Sequence, residues 1–583
     1  MVTEQDSSEE EGPKKPEFNI EPGDLGGLMA EFPHIRDWVE NFEEQHGSRP
    51  IYYGPLDRDA KSVSPRNLIY ATKPPCFAHV YSPPEGEVGA GNTFWYGLEP
   101  TINEEEEVIR NDIVERLLRD APQKERFDND AEFINMIHEM MDDMTTTTST
   151  SFLSNPIVDQ ARELIGMGEA RIKVTEDQLE RLKYVVVRDL VNNGPLETLL
   201  ADEMLEDIHS IGMKQIHMDH KVFPMLTSNI AFKDQELLTG YLRSMSERIG
   251  RPVSDSKPIV DGALLDGSRI NIIYSDDVSI QGSSFTIRKF AEETISIIQL
   301  IKWKTLSAQM AAYIWLGLEA GMSMLVSGET ASGKTTTLNA VLPFIDHNVK
   351  IYTAEDTPEV KVAHPIWQRL ITRDSKNEDS RVEMFDLLKA ALRSRPRYII
   401  IGEIRGVEGA IAFQAMQTGH PVVGTFHASN IVKLIQRFTG DPINVPARFF
   451  DNLNFAIFQE VVEAPGGGIA RRITGVSEVI GFDKTADGIL TRNMFEWDPV
   501  ADEVYFRGMF QSDMLENKIA PRMGFRSKRD IYDELERRTV AIQLMCDRDL
   551  THYDDVYDLL DVYFKEGWER FSSAIQTWTG INH

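Results

Sequence analysis

Residues 328–335 read GETASGKT and constrain this chain more than any other stretch. A short apolar run from Met322 to Val326 leads into Gly328, and Leu338 and Ala340 follow in a helix-forming stretch. That is strand, loop and helix in the order a phosphate-binding loop requires. Glycines let successive N–H groups curl inward as an anion nest, and a helix beginning near Lys334 turns its positive end the same way. Gly328, Glu329, Thr330, Ala331, Ser332, Gly333, Lys334, Thr335 and Thr336 are therefore expected to cradle the phosphates of ATP. Lys334 should reach the β- and γ-phosphates, and the Thr335 hydroxyl should ligate Mg²⁺. A chance glycine-rich turn would lack the apolar strand before it and the helix after it.

A chain of 583 residues is too long for one core, so three or four domains are expected. With 61 Lys+Arg against 93 Asp+Glu the formal charge is −32. That balance argues against a general nucleic-acid binder, which needs a basic face. Cys76 and Cys546 lie far apart, forming neither a disulfide framework nor a CxxC metal site, as suits a reducing compartment. The N-terminus lacks the basic region and apolar core of a signal peptide. The longest apolar stretch, residues 310–318, is half a membrane span and is closed by Glu319. The expectation is a cytoplasmic chain, peripheral at the inner face of the membrane, that meets the membrane only through partners.

Composition and periodicity divide the chain. Residues 1–25 are acidic and poor in apolar residues, as disordered tails are. Residues 26–150 form an accessory region: aromatic, proline-rich short strands up to about 100 suggest a satellite unit, and a helical stretch follows over 104–143. The Thr/Ser tract from Thr145 to Ser151 reads as a linker. Residues 151–195 are a helical segment stopped by Asn192-Asn-Gly-Pro. Residues 196–296 alternate short strands with helix, an N-terminal α/β domain. Residues 297–481 alternate strands and helices as a parallel sheet does. Residues 482–583 open with a hairpin around 494–506 and end in helices over 528–545 and 552–571.

Three further stretches carry chemistry. Residues 350–359 form a strand that delivers carboxylates beyond its C-terminal end, where doubly wound sheets bind ligands. Glu355 is the candidate to activate water; a solvated acidic turn is the plainer reading. Residues 397–405 are a Walker B-like strand with Glu403 at its end, expected to complete the metal or water shell; the plainer reading is an ion pair with Arg405. His420 and His427 bracket a short strand, and together they suggest a sensor of the terminal phosphate.

The loop at 328–335, the carboxylate box at 353–359, the Gly-Glu-Ile-Arg run at 402–405 and the TGH…TFHA box at 418–428 resemble the secretion ATPase superfamily. Its members power type II secretion, type IV pili, conjugation and the archaellum. NGPLE at 193–197, PIVDG at 258–262, GSR at 267–269 and GSSFTIRK at 282–289 extend the resemblance over roughly 185–480. It implies an α/β fold: a RecA-like P-loop NTPase core with an N-terminal α+β domain, here flanked by a helical accessory region and an α+β C-terminal extension. It further implies a homo-hexamer with ATP between domains, working against a polytopic membrane platform protein. Arg269 and Arg288 become candidates for reaching the nucleotide, one across a subunit boundary.

Two cysteines leave no four-cysteine zinc insertion of the kind bacterial relatives carry. Residues 434–440, 442–446 and 451–454 resemble the archaeal branch, most of all the archaellum motor ATPase. Arg397 departs from the pattern, since Asp commonly follows Arg-Pro there. Archaeal pilus assembly and type II/IV secretion stay open as alternatives. Two other classes remain: a nucleic-acid-translocating motor, disfavoured by the acidic charge, and a scaffold that binds ATP without turning it over, disfavoured by intact Glu355, Glu403, His420 and His427.

Overall fold

The alternation of short β-branched and aromatic runs with glycine-rich turns produces sheets at both ends of the chain. The computed structural model describes residues 23–578 except 55, 57–59, 61–62, 64–65, 121–129, 148–170, 224, 265, 291–293, 374–379, 464–468 and 486. The expected acidic tail and the first part of the 151–195 segment fall almost wholly outside the described residues. The chain divides into two compact units, Met1–Phe290 and Ala291–His583.

The first unit is built on a ten-stranded sheet. Its N-terminal strands are β1 (Ile51–Tyr53), β2 (Asn67–Ala71), β3 (Phe77–Tyr81) and β4 (Phe94–Leu98). After the small pair β5 (Thr145–Thr147) and β6 (Ile172–Val174) come β7 (Leu205–Ile211), β8 (His217–His220), β9 (Leu226–Ser228), β10 (Ile259–Ala263), β11 (Arg269–Ile273) and β12 (Ser284–Arg288). The large sheet runs β1-β2-β3-β4-β9-β8-β7-β12-β11-β10. The aromatic strands are thus not a satellite; β4 pairs with β9 at Phe94↔Thr227 and Trp95↔Ser228. A buried carboxylate explains the join. Asp202 accepts hydrogen bonds from Tyr70 Oη at 2.5 Å and Trp95 Nε1 at 2.9 Å, so its desolvation is compensated only when both parts of the chain are in place.

Helices α1 (Leu25–Glu31) and α2 (Pro33–His46) cover β2–β4, with Ile35, Val39 and Phe42 buried on one stripe. Helices α3 (Glu104–Asp120), α4 (Asp130–Met144) and α5 (Glu176–Leu190) form their own apolar cluster. The Thr tract departs from the linker expectation at its start. Thr145 is buried and donates to Met141 O at 2.8 Å, and β5 pairs with β6 in parallel.

The second unit carries a nine-stranded sheet. Its strands are β13 (Met324–Gly328), β14 (Ile351–Glu355), β15 (Trp367–Ile371), β16 (Tyr398–Ile404), β17 (Val422–Phe426), β18 (Phe455–Glu463), β19 (Ile469–Asp483), β20 (Gly488–Asp498) and β21 (Glu503–Phe506). The order is β15-β14-β16-β17-β13-β18-β19-β20-β21. β15 through β18 run parallel, linked by crossover helices except between β14 and β15, and β18 to β21 continue antiparallel. This is the α/β core expected from the alternating pattern. The boundary expected at 481 falls inside β19, so the hairpin β20–β21 extends the same sheet.

Helix α6 (Ala308–Glu319) holds the longest apolar stretch, and Ala308 and the run from Met310 to Leu318 are buried in it. A helix apolar all round needs covering on every side. Helices α7 (Ile531–Asp547), α8 (Tyr553–Glu566) and α9 (Trp568–Thr577) supply part of that cover and share its core. The C-terminal helix expected over 552–571 is broken at Gly567, whose φ is 83°. Among the described residues no helix is long and apolar enough to cross a membrane.

Arg538 of α7 is wholly buried. It donates to Glu534 Oε1 at 2.9 Å and Glu319 Oε2 at 2.5 Å, and lies 4.5 Å over the Trp315 ring. Phe571 packs edge-on to the same ring at 5.7 Å. Phe571→Ala is therefore expected to destabilise the second unit by about 3–5 kcal/mol, read from urea midpoints. A loss below about 1 kcal/mol would mean that the C-terminal helices are dispensable to this core.

Candidate active site

β13 lies between β17 and β18, parallel to both, and all five of its residues are buried. Its C-terminal end opens into the loop at 329–333, and the helix Lys334–Val341 follows directly. Gly333 at the helix start has φ 91°, and Ala331 has φ 62°. Gly328 must lack a side chain, because a Cβ would lie 2.1 Å from Gln459 O. The loop is tied internally: Ser332 Oγ donates to Glu329 O at 2.9 Å, and Thr337 Oγ1 to Gln459 Oε1 at 2.7 Å. Glu329, Thr330 and Ala331 form its exposed crest.

Lys334 is 8% exposed, and its Nζ donates to Glu329 O at 2.7 Å. Burial pulls its pKa down, and the charges of Glu403 and Glu359 only partly restore it. Thr335 Oγ1 donates to Glu359 Oε2 at 3.2 Å, and Asn339 Nδ2 to Glu359 O at 3.0 Å. The helix that begins with the lysine is thus fastened to the carboxylate segment following β14.

β14, β16 and β17 run parallel to β13 and deliver Glu355, Glu403 and His427 to the same edge. Glu355 is wholly buried. Its Oε1 accepts the N–H groups of Glu359 at 2.8 Å and Val360 at 2.6 Å, and Arg369 Nε reaches Oε2 at 3.4 Å. Burial pushes its pKa up to about 7 despite those partners. Gly402 faces it closely, since a Cβ there would lie 3.1 Å from Glu355 Cγ.

Register slips between Ile401 and Ile404 of β16, a bulge of the kind that re-aims side chains. Glu403 sits within it. His427 Nε2 stands 2.6 Å from Glu403 Oε1, and Arg405 Nη2 donates to Oε2. Burial works against the Glu403 charge, but Arg405 and His427 outweigh it and hold the carboxyl below its usual range.

Not every expected residue gathers here. His420 precedes β17 and so stands at the opposite edge of the sheet from His427, about 20 Å away at roughly 3.3 Å per residue. Two histidines bracketing one strand cannot share one of its ends, which corrects the paired-sensor expectation. Its Nδ1 instead lies 3.2 Å from Thr418 Oγ1. Thr336 follows Thr335 in the helix, half-buried. Arg269 and Arg288 belong to the first unit, directly opposed on β11 and β12. Arg269 Nη2 lies 3.9 Å from Asp261 Oδ1, and Arg288 Nε donates to Asp207 Oδ1 at 3.1 Å.

Three residues escaped the sequence reading. Glu359 lay within the carboxylate box, yet only the structure separates it, reaching Thr335, from Glu355, turned inward. Gln459 sits in no motif; its carbonyl and side chain seat the loop. Arg471 of β19 donates from Nε to Ala331 O at 3.0 Å, and its Cδ would lie 3.2 Å from a Cβ on Gly333.

A parallel sheet with a glycine-rich loop on a central strand and carboxylates on its neighbours defines a P-loop protein of the doubly wound α/β class. Residues 189–445 match the family model described as type II/IV secretion system protein. MJ0900 of Methanocaldococcus jannaschii is 46% identical over 549 residues, 94% of this chain and 98% of that protein. The chain belongs to the type II/IV secretion system protein family. Conjugal transfer protein TrbB of Rhizobium radiobacter is 28% identical over 244 residues, 41% of this chain and 73% of its own. The X-ray structure of the ATPase DotB of Yersinia pseudotuberculosis aligns with 65% of this chain and 94% of its own, at 18% identity and a TM-score of 0.36.

The raised pKa of Glu355 has a sign that can be measured. Between its reference value of 4.5 and its folded value of about 7, the folded chain keeps a proton that the unfolded chain releases. Its contribution therefore falls as pH rises through that window and is constant outside it. The stability gap between wild type and Glu355→Gln should move in favour of the glutamine variant from pH 4.5 to about 7, followed by urea midpoints. A gap independent of pH would mean that the carboxyl is not held protonated.

Proposed function

We propose that this chain is a Mg²⁺-dependent ATP hydrolase of the type II/IV secretion class, acting as a hexameric motor. The observation that carries the reading is the convergence of Lys334, Thr335, Glu359, Glu403 and His427 at one end of parallel strands, with a buried Glu355 behind them.

The loop's inward N–H groups and Lys334 hold the phosphates, the ammonium exchanging Glu329 O for phosphoryl oxygen. Mg²⁺ fits here, because the Thr335 hydroxyl and Glu359 carboxylate are hard oxygen donors side by side. When bound, it neutralises charge on the phosphoryl oxygens. Thr335 was expected as a ligand with Glu403; Glu359 is the carboxylate nearer to it, while Glu403 is taken up by His427 and Arg405 and orders the water side. Glu355 accepts the proton of the attacking water, with a pKa suited to that task near neutral pH. Arg269 and Arg288 remain candidates for the developing phosphoryl charge, one of them from a neighbouring subunit of the ring.

The partners in this reading are five further copies of the chain and a polytopic membrane platform protein, with the motor at the cytoplasmic face. The archaellum role rests only on the residues at 434–454. Relatives named as conjugal transfer proteins favour the broader secretion or pilus-assembly reading. A nucleic-acid motor draws no support from the −32 charge.

Lys334→Ala is expected to lower ATP hydrolysis at least a hundredfold while leaving the far-ultraviolet circular dichroism unchanged; normal turnover in that variant would remove the site. Hydrolysis by the wild type should rise with pH through about 7 as Glu355 loses its proton, and the residual activity of Glu355→Gln should lack that rise. A rise retained in the variant assigns the base elsewhere. Native mass with and without Mg²⁺-ATP tests the hexamer.

A further inference from the structure

The edge of the second unit's sheet opposite the phosphate-binding loop holds a cavity of about 660 Å³. That is within the size range of small-molecule sites. Its wall includes the residues that lead into four central strands: Ser323 before β13, Arg397 before β16, Pro421 before β17 and Asn454 before β18. At or near their other ends those strands carry Gly328, Glu403, His427 and Gln459. The starts are also fastened to one another. Ser323 N donates to Asn454 Oδ1 at 2.8 Å, Val422 N donates to Ser323 Oγ at 3.2 Å, and Tyr398 Oη at the start of β16 lies 3.3 Å from Met322 O just before β13.

The charge of the cavity is one-sided. Arg397, Lys518 and Arg522 line it, the last two from the C-terminal segment, where Lys518 Nζ also lies 4.0 Å from Asp513 Oδ2. Of its two acids, Glu319 is already engaged by Arg538 and Tyr563, leaving Asp451. Arg522 Nη1 donates to Ala320 O at 2.7 Å, which fixes its stem and leaves other donors of the fork available. The Arg397 guanidinium lies over Gly321, where φ is 76° and a Cβ would come within 3.3 Å of Nη2. Among the described residues no acid forms an ion pair with Arg397.

We propose that this cavity is an effector site for a small multivalent oxyanion, which ties Lys518 and Arg522 of the C-terminal segment to Arg397 at the start of β16. Three cations reaching from two sides suit a ligand with several charged oxygens, held by charge-assisted hydrogen bonds. Each strand is five to nine residues long and packed on both faces, so a shift at its start is carried to its end rather than absorbed. Coupling of this kind is reciprocal: an anion that alters the phosphate-binding loop is itself bound differently when that loop is filled.

The test uses the full chain carrying Lys334→Ala, which weakens the loop's own hold on anions, titrated with tripolyphosphate by calorimetry. One equivalent is expected to bind. Adding Arg397→Glu and Arg522→Glu should weaken that binding at least tenfold, with the thermal midpoint kept; Arg397→Gln with Arg522→Gln serves if charge reversal unfolds the chain. Affinity that ignores these substitutions, or no binding to the Lys334→Ala chain, overturns the site. Hydrogen exchange at residues 329–335 should change on adding tripolyphosphate to the Lys334→Ala chain. Binding without such a change overturns the effector role. Neither readout depends on hydrolysis, so the site can fail or stand apart from the ATPase reading.

Discussion

Gln459 and Gly328 meet backbone to backbone, and the candidate site depends on that contact. A Cβ on Gly328 would lie 2.1 Å from Gln459 O, so no other residue fits there without moving a central strand. The same glutamine accepts the Thr337 hydroxyl through its side chain, fixing the helix on the far side of the loop. Strand, loop and helix are thus clamped to β18 at two points. A loop that presents N–H groups to an anion must be rigid before the anion arrives, because ordering it afterwards costs binding energy.

The carboxylates divide their work by burial. Glu355 is wholly enclosed and uses one oxygen to gather two N–H groups of the segment that follows β14. That gathering turns the segment so that Glu359 meets Thr335. Glu403 is partly exposed, and Arg405 and His427 keep it charged. In the proposed hydrolysis, one acid held near neutral pKa and another held ionised within one site separate proton acceptance from charge placement.

The loop and the strands ending in Glu355, Glu403 and His427 were legible in the sequence, because each is a local pattern of a few apolar residues followed by its polar group. The division of labour between Glu355 and Glu359 was not, since four residues in an irregular segment carry no period that says which side chain turns inward. His420 misled for a related reason: closeness in sequence across a strand means distance in space. The join of β4 to β9, the continuation of the sheet past 481 and the cover of α6 by the C-terminal helices are long-range pairings. Sequence hinted at the last of these, because a helix as apolar as 310–318 has to be enclosed by something. It did not say by what, and the answer lies over two hundred residues away.

Lys334 rests on the carbonyl of Glu329, a group belonging to its own loop. A buried ammonium without an acceptor would be costly, and this contact supplies one. It also makes the loop its own weak competitor: an incoming phosphate must displace a bond already made. Ligands that offer the lysine only a neutral acceptor would gain little from the exchange, whereas those bringing negative oxygen would gain a stronger bond than the one given up. The contact between Lys334 and Glu329 is thus a filter on charge, set by a single carbonyl at the crest of the loop.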